Sequence, residues 1–306
     1  MRDEPYFSAE PVAWGPPPEV RFIRPKRSPW FEYGLPALLF ALTAWTIYRN
    51  GGLEFVLAVM GIMLCHEMGH YLACRYYGMD ATLPHFLPGP TPPFGLIGTF
   101  GAFIRIRSPF PTRKILFDVG VAGPLAGIAA CLPVLYLAAQ ELEVVTAHPG
   151  GMLFNEPLLL RYAFEWLAPV MNVGPNQVLT IGPYGLAAWF GLMLTALNLM
   201  PVGQLDGGHA MYALFRGRAA LVSRIASWLC LGLLYFGPTY LLWWILLRWL
   251  GGRPHPPTLD DTESLGRGRV AVAVLCAVVF VLCFRPDPFV FSWPDFWRDL
   301  RQLLGA

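Results

Sequence analysis

The sequence predicts an all-α integral membrane protein with six or seven transmembrane helices and a re-entrant or interfacial β-hairpin between the second and third spans. Hydrophobic residues make up 55% of the 306 residues and charged residues only 14%, whereas soluble domains carry about 25% charged residues. Several apolar stretches reach the roughly 20 residues that a helix needs to cross a bilayer. The 30 prolines, 31 glycines and 11 tryptophans are typical of such helices and of their interfacial ends.

Charge and cysteine content narrow the possible functions. The net charge of +2, from 22 basic and 20 acidic residues, offers no extended cationic surface. Nucleic-acid binding therefore lacks its main electrostatic driving force. The six cysteines lie in or beside apolar stretches without the spacing of a zinc ribbon, so we interpret them as small buried hydrophobic residues.

The transmembrane segments follow from apolar runs of sufficient length. Residues 1–30 form a polar, proline-rich tail without the apolar core and cleavage site of a signal peptide, so we expect the first span to stay as an anchor. The clear spans cover approximately residues 31–48, 53–77, 115–139 and 184–201. Residues 219–250 are apolar for too long for one simple helix, and Gly237-Pro238 leaves open either two short spans or one kinked span. A last span covers residues 270–284, and residues 285–306 form a second tail.

Loop charges predict the orientation, because cytoplasmic loops collect Lys and Arg. The tail before the first span holds five basic residues, and the segment between the second and third spans holds five more. The loop of residues 140–182 has only Arg161 against four glutamates. We therefore expect a multi-pass protein of the cell membrane with a cytoplasmic amino terminus. The longest linkers, of about 40 residues, leave no room for an inserted globular module.

The segment between the second and third spans differs from a helix. Residues 84–111 contain seven prolines, and residues 98–107 combine β-branched and aromatic residues in partial alternation. This pattern predicts a β-hairpin. Irregular backbone at membrane depth requires protein or a water-filled cavity to satisfy its polar groups, so the hairpin implies a cavity nearby.

A cluster of ionisable residues lies inside the second span, which reads His66-Glu67-Met68-Gly69-His70. On a helix the two histidines are one turn apart on one face, so both imidazoles can bind one Zn²⁺. The carboxylate between them could take a proton from a water molecule. Because ionisable groups are costly in an apolar span, the cluster indicates a functional site.

Two histidines do not complete a zinc site, so a third ligand is needed. Asp206 is the best candidate, because Pro201 and the following glycines end the fourth span and let the chain fold back. Its carboxylate would leave the fourth position to water. An ordinary Asp-Gly turn is the alternative interpretation.

These motifs together resemble the paired signatures of the site-2 protease family, the intramembrane zinc metalloproteases. The resemblance rests on His66-Glu67-Met68-Gly69-His70, on Asn198 and Pro201, on Leu205-Asp206-Gly207, and on Phe117 to Gly127, which is similar to the Ala-Gly-Pro stretch of the family. It covers residues 53–213, the predicted catalytic membrane core, with residues 219–284 as C-terminal spans. The resemblance implies that His66, His70 and Asp206 bind one zinc ion, that Glu67 is the general base, and that Asn198 positions the substrate or its developing oxyanion.

Residues 98–109 resemble the substrate-side loop of the bacterial and plastid branch of the family, without its PDZ or CBS modules. The resemblance implies that Gly98, Thr99, Phe100 and Gly101 contact the substrate. An unwound transmembrane segment could pair with this strand by β-augmentation. Many members carry Asn where this chain has Gly127, so the polar contact of that position is missing here.

The implied function is hydrolysis of peptide bonds in or near transmembrane segments of single-span membrane proteins, in regulated intramembrane proteolysis. Two other functions stay open at this point. One is a metal-ion transporter that uses the same ligands, and the other is a non-catalytic scaffold that binds transmembrane helices. Glu67 discriminates between protease and transporter, because transport needs no base beside the metal.

Overall fold

A computed structural model of the chain describes residues 28–91, 97–146, 155–169, 171, 173–235, 240–241, 244–245, 248, 257–287 and 301. The Gly237-Pro238 break and most of the two predicted tails lie outside these residues. The fold is mostly helical. Its described helices are α1 (Leu35–Tyr76), α2 (Arg113–Gln140), α3 (Leu158–Leu167), α4 (Pro183–Asn198), α5 (Asp206–Phe215), α6 (Ala219–Leu233) and α7 (Arg267–Cys283).

Two helical stretches, Trp30–Tyr76 and Arg113–Gln140, are long and apolar enough to cross a membrane. The first begins with a π-helical turn, Trp30–Gly34, that leads directly into α1. The other apolar helices, α4, α6 and α7, have 16, 15 and 17 residues. The fourth span was expected to reach residue 201, but α4 ends at Asn198, because residues 199–205 turn back toward α5.

Gly52 divides α1 into a first arm, residues 35–51, and a second arm, residues 53–76. Its φ of +77° and ψ of −167° are not helical. Glycine adopts this conformation without the penalty that a Cβ would bring. The break falls in the gap between the spans predicted at 31–48 and 53–77.

The two arms fold back on each other. Phe40 of the first arm packs edge-on against Phe86, with 5.1 Å between the ring centroids. Glu67 of the second arm accepts a hydrogen bond from the backbone N–H of Ile104. On one straight helix Phe40 and Glu67 would lie about 40 Å apart, yet they contact the same short pair of strands. The two arms of α1 are therefore two antiparallel helices joined at Gly52.

That pair of strands lies in the segment for which the sequence predicts a hairpin. Strand β1 (His85–Pro88) pairs antiparallel with β2 (Thr99–Phe103). The register pairs Leu87 with Gly101 and Pro88 with Thr99, so Phe100 is the extra residue of a β-bulge. A second antiparallel pair, β3 (Glu143–Thr146) with β4 (Gln177–Thr180), lies between α2 and α4 in the chain.

The core is an apolar layer shared by α1, α2 and α4. It is formed by buried side chains that include Val59 and Met63 of α1, Leu135 of α2 and Leu192 of α4. Helix α2 contacts α1, α4 and α5, so it is the central helix of the fold.

A short segment without helix, residues 258–263, crosses the start of α2, and we call it the strap. Its Leu259 and Asp260 N–H groups donate to the carbonyls of Phe110 and Pro111. The buried Arg113 of α2 donates to the Ala213 carbonyl near the end of α5 and to the Glu263 carbonyl of the strap. The strap therefore ties the chain that leads into α7 to α2 and, through Arg113, to α5.

Candidate metal centre

Three donor atoms from α1 and α5 converge at one point. The Nε2 atoms of His66 and His70 are 3.3 Å apart. Asp206 Oδ2 lies 3.3 Å from the first and 3.2 Å from the second. Both histidines are buried, and the Asp206 carboxylate is nearly so. The donors form an almost equilateral triangle that could hold a metal ion.

The size of this triangle fits zinc. Zn²⁺ prefers four tetrahedral ligands, with Zn–N and Zn–O distances of about 2.0–2.1 Å. That geometry sets neighbouring donor atoms about 3.3–3.4 Å apart. The three observed separations match this value, and two imidazoles with one carboxylate leave a position open, as catalytic zinc sites do.

Glycines of α2 make room for the histidine rings. A Cβ at Gly123 would overlap the His70 ring, and a Cβ at Gly127 would lie 3.0 Å from His66 Nδ1. A Cβ at Gly120 would come within 2.9 Å of the Cβ of His209 on α5. The spacing of these glycines along one face of α2 lets α1 and α5 approach the central helix closely.

The backbone of α2 also orients His70. The His70 Nδ1 atom lies 2.7 Å from the carbonyl oxygen of Val119, to which it donates. A proton held at Nδ1 leaves the lone pair of Nε2 directed into the triangle. Histidines that bind metals commonly donate their second ring N–H in this way.

Asp206 is brought to the triangle by a tight turn. It is the first residue of α5, and residues 199–205 connect it to α4 through local backbone hydrogen bonds. A Cβ at Gly207 would overlap the Leu199 carbonyl, and one at Gly208 would overlap the Gly203 carbonyl. Only glycines let α5 begin so close to this turn, which explains why both follow Asp206.

Glu67 is buried beside the triangle and is not one of its corners. It follows His66, so it projects about 100° around the helix from that ligand. The Ile104 N–H, one residue after β2, fixes its carboxylate. Asn198, the last residue of α4, brings its Nδ2 atom within 3.1 Å of His66 Nε2. The structure thus brings together five of the predicted site residues, which are His66, Glu67, His70, Asn198 and Asp206.

The four predicted substrate contacts lie along the strand instead. Gly98 lies against the first arm of α1, where Thr46 Oγ1 donates to its carbonyl over 2.6 Å. The Thr99 hydroxyl donates to the Leu87 carbonyl and accepts from the Gly101 N–H. The Phe100 side chain is 73% exposed. From Gly98 to Ile104 the chain spans at most about 20 Å, so the strand leads from the first arm to Glu67.

Sequence reasoning missed the backbone partners of the site. Neither Ile104 nor Val119 carries a functional side chain, because each contributes a main-chain group. Prolines and alternation located the strand, and apolar length located α2, but the backbone groups that these elements direct at Glu67 and His70 depend on tertiary packing.

Residues 54–233 match the family described as "Peptidase family M50", and all five gathered residues lie inside that region. The chain is 32% identical to "Probable zinc metalloprotease EGY1, chloroplastic" of Arabidopsis thaliana, over 84% of this chain and 45% of the relative. It is 29% identical to the protein of the same name in Oryza sativa subsp. japonica, over 98% of this chain and 46% of the relative. It is also 30% identical to "Probable zinc metalloprotease EGY2, chloroplastic" of Oryza sativa subsp. indica, over 79% and 44%.

The chain spans less than half the length of these curated relatives. The family match, in contrast, covers more than half of the chain and includes the site residues of both α1 and α5. The helical fold, with apolar helices long enough to cross a membrane, agrees with that match. The chain belongs to peptidase family M50, the site-2 protease family that its motifs resemble.

Proposed function

We propose that the protein is a zinc-dependent intramembrane endopeptidase that hydrolyses peptide bonds in or near transmembrane segments of membrane proteins. The observation that carries this proposal is the triangle of His66, His70 and Asp206 donor atoms with the Glu67 carboxylate beside it. Such a set, buried among apolar helices, suits hydrolysis better than helix packing, since packing requires no ionisable groups.

Each residue has a distinct proposed role. His66, His70 and Asp206 hold one Zn²⁺, which would act as a Lewis acid and lower the pKa of a water molecule. Glu67 takes a proton from the attacking water and passes it to the leaving amine as the peptide bond breaks. The Ile104 N–H keeps its carboxylate oriented for both transfers. Asn198, beside His66, positions the substrate carbonyl and donates to its developing oxyanion.

Strand β2 is the proposed substrate-binding element. A helical substrate must unwind before its peptide bond is accessible, and the unwound backbone then needs new hydrogen-bond partners. Among the described residues β2 pairs only with β1, so its other edge can receive an extended segment. Gly98, Thr99, Phe100 and Gly101 would contact that segment, and the strand leads it toward Glu67.

We place the hairpin inside the membrane as a re-entrant element of a protein with six or seven spans. Its contacts with Phe40 and Glu67, both within apolar helices, support this position. With the fold-back at Gly52, both ends of α1 would lie on one side of the bilayer. We assign that side to the cytoplasm of the cell, with the basic tail of residues 1–30, because Lys and Arg collect there. The proposed substrates are single-span proteins cleaved in regulated intramembrane proteolysis.

The decisive experiment combines metal analysis with cleavage of a single-span reporter by the detergent-purified protein. We expect one zinc per chain in the wild type and loss of zinc in His66→Ala and Asp206→Ala, because each removes a donor atom. Glu67→Gln should keep zinc and lose cleavage by at least about 100-fold, since general-base catalysis contributes 10²–10⁴-fold.

Glu54→Gln is the matched control, because Glu54 is an exposed carboxylate on the same arm of α1. It should keep both zinc and cleavage. Cleavage that survives Glu67→Gln would contradict the role of Glu67 as the base. Zinc uptake by vesicles that survives Glu67→Gln, without any cleavage by the wild type, would favour the transporter. A folded wild type without zinc would overturn the catalytic proposal.

A further inference from the structure

A three-residue cluster lies at the end of the seam between α1 and α2. The Asp118 carboxylate of α2 accepts two hydrogen bonds from Arg269 of α7, from Nε over 2.8 Å and from Nη2 over 2.6 Å. It also accepts one from the Tyr77 hydroxyl over 2.5 Å. Bidentate pairing of arginine with a carboxylate is among the stronger and more directional polar contacts in proteins. The cluster joins three helices at one half-buried point.

This cluster is next to the backbone carbonyl that orients His70, a predicted metal ligand. Val119, which accepts the hydrogen bond from His70 Nδ1, directly follows Asp118 on α2. Tyr77 follows His70 by seven residues, which places both on one face at the end of α1. Adjacent residues of α2 thus contact His70 of α1 and Tyr77, the residue that directly follows α1, two turns further along. Any shift or rotation of α2 that breaks one contact strains the other.

Arg269 lies 36 residues beyond the end of the region that matches the family. The strap holds the segment that leads into α7 independently of Arg269. It does so through an ion pair of 2.9 Å between Lys114 and Glu263 and a hydrogen bond of 2.8 Å from Tyr212 to Asp261. Among the described residues, the Arg269–Asp118 pair is the only ion pair between α2 and α7. A substitution of Arg269 should therefore loosen α2 without detaching α7.

We propose that Arg269 is a positioning residue of the metal centre, which acts through Asp118 to fix the Val119 carbonyl that orients His70. The inference rests on the proposed zinc site. Without Arg269, Tyr77 is the one remaining partner of the Asp118 carboxylate among the described residues, and the first turns of α2 lose their ion pair with α7. His70 is then less firmly held, so zinc binding weakens while all three ligands remain.

The test is equilibrium zinc affinity, measured by chelator competition on the detergent-purified full chain. Groups that directly support a metal-bound histidine are worth 10–100-fold in affinity, and Arg269 acts one step further away. We therefore expect Arg269→Gln to weaken zinc binding about tenfold. Arg269→Lys should recover only part of the loss, since an ammonium group cannot pair in the bidentate manner.

Arg267→Gln is the matched control, because Arg267 is exposed two residues earlier on α7 and no described contact involves it. Its zinc affinity should equal that of the wild type. If Arg269 acts through Asp118, the double variant Asp118→Asn/Arg269→Gln should bind zinc no more weakly than Asp118→Asn alone. The thermal midpoint of each zinc-free variant is measured in parallel.

Wild-type affinity in Arg269→Gln would overturn this inference and leave the proposed function intact, whereas a wild type that binds no zinc would overturn both. Additive losses in the double variant would overturn the route through Asp118. A lowered midpoint of the zinc-free protein with unchanged zinc affinity would show a merely structural role and overturn the proposal. Should Arg269→Gln fail to fold, Arg269→Lys applies the same test with a smaller change.

Discussion

At the scale of single residues, the metal centre depends on glycine at position 123 as much as on its ligands. His70 occupies the space in which a Cβ of residue 123 would lie, and α2 is packed between α1, α4 and α5, so it has little room to move away. We expect Gly123→Ala to displace His70 and abolish stoichiometric zinc binding, as measured by metal analysis. Gly127→Ala should have a smaller effect, because its Cβ would stand 3.0–3.5 Å from His66 atoms.

Gly61→Ala is the control for these substitutions. Gly61 lies on the second arm of α1, and a Cβ at this position would have no atom within 4 Å. Its replacement by alanine should leave zinc content unchanged and stabilise the helix by up to about 1 kcal/mol through helix propensity. Full zinc content in Gly123→Ala would show that α2 yields and that the close approach is not required.

Much of the residue-scale chemistry could be predicted from the sequence, because it depends on local spacing. His66 and His70 share a helix face because they are four residues apart. Asp206 follows the fourth span, which must end at Pro201 and the glycines after it. The partners of these residues could not be predicted. Arg269 and Asp118 are separated by about 150 residues, and nothing local in either segment indicates their pairing.

At the scale of elements, the hairpin joins the substrate side of the site to its catalytic side. Phe100 is the bulge residue of β2, so it has no register partner on β1. Proline at this position removes an N–H and fixes φ. We expect Phe100→Pro to lower cleavage of a single-span reporter at least about tenfold while zinc content stays at one per chain, because backbone pairing with the substrate is lost.

Phe100→Ala separates the backbone from the side chain. It removes the exposed ring but keeps the N–H, so it should retain most of the cleavage if the backbone dominates. Equal losses in both variants would instead assign the effect to the aromatic ring. Unchanged cleavage in Phe100→Pro would contradict substrate pairing at this position.

The elements themselves were predictable to different degrees. Apolar length located the break in α1, and alternation located β2. The reversal of the chain at residues 49–52 follows from the prediction of two spans joined by a short linker, but the exact direction of the second arm was not predictable, since a glycine permits a turn without specifying it. The contacts of Phe40 and Glu67 with one strand pair determine that direction.

At the scale of the whole molecule, the strap connects the end of the chain to the helices of the site. Buried Arg113 satisfies carbonyls of both α5 and the strap, and hydrogen bonds to charged groups contribute about 1.5–3 kcal/mol each. We expect Arg113→Met to lower the thermal midpoint of unfolding in detergent and to reduce zinc retention, because α5 carries Asp206. Arg105→Met, at an exposed position before α2, should change neither. An unchanged midpoint in Arg113→Met would show that the strap does not hold α5.

The order in which the chain is made has a consequence for the triangle of donor atoms. Asp206 leaves the ribosome roughly 140 residues after His70, and at synthesis rates of 5–20 residues per second this delay is about 7–30 s. During that interval the two imidazoles are already in an apolar helix without their carboxylate partner. A metal ion could complete its coordination only after α5 has packed against α2, so maturation of the centre would be a late event that follows insertion of the first helices.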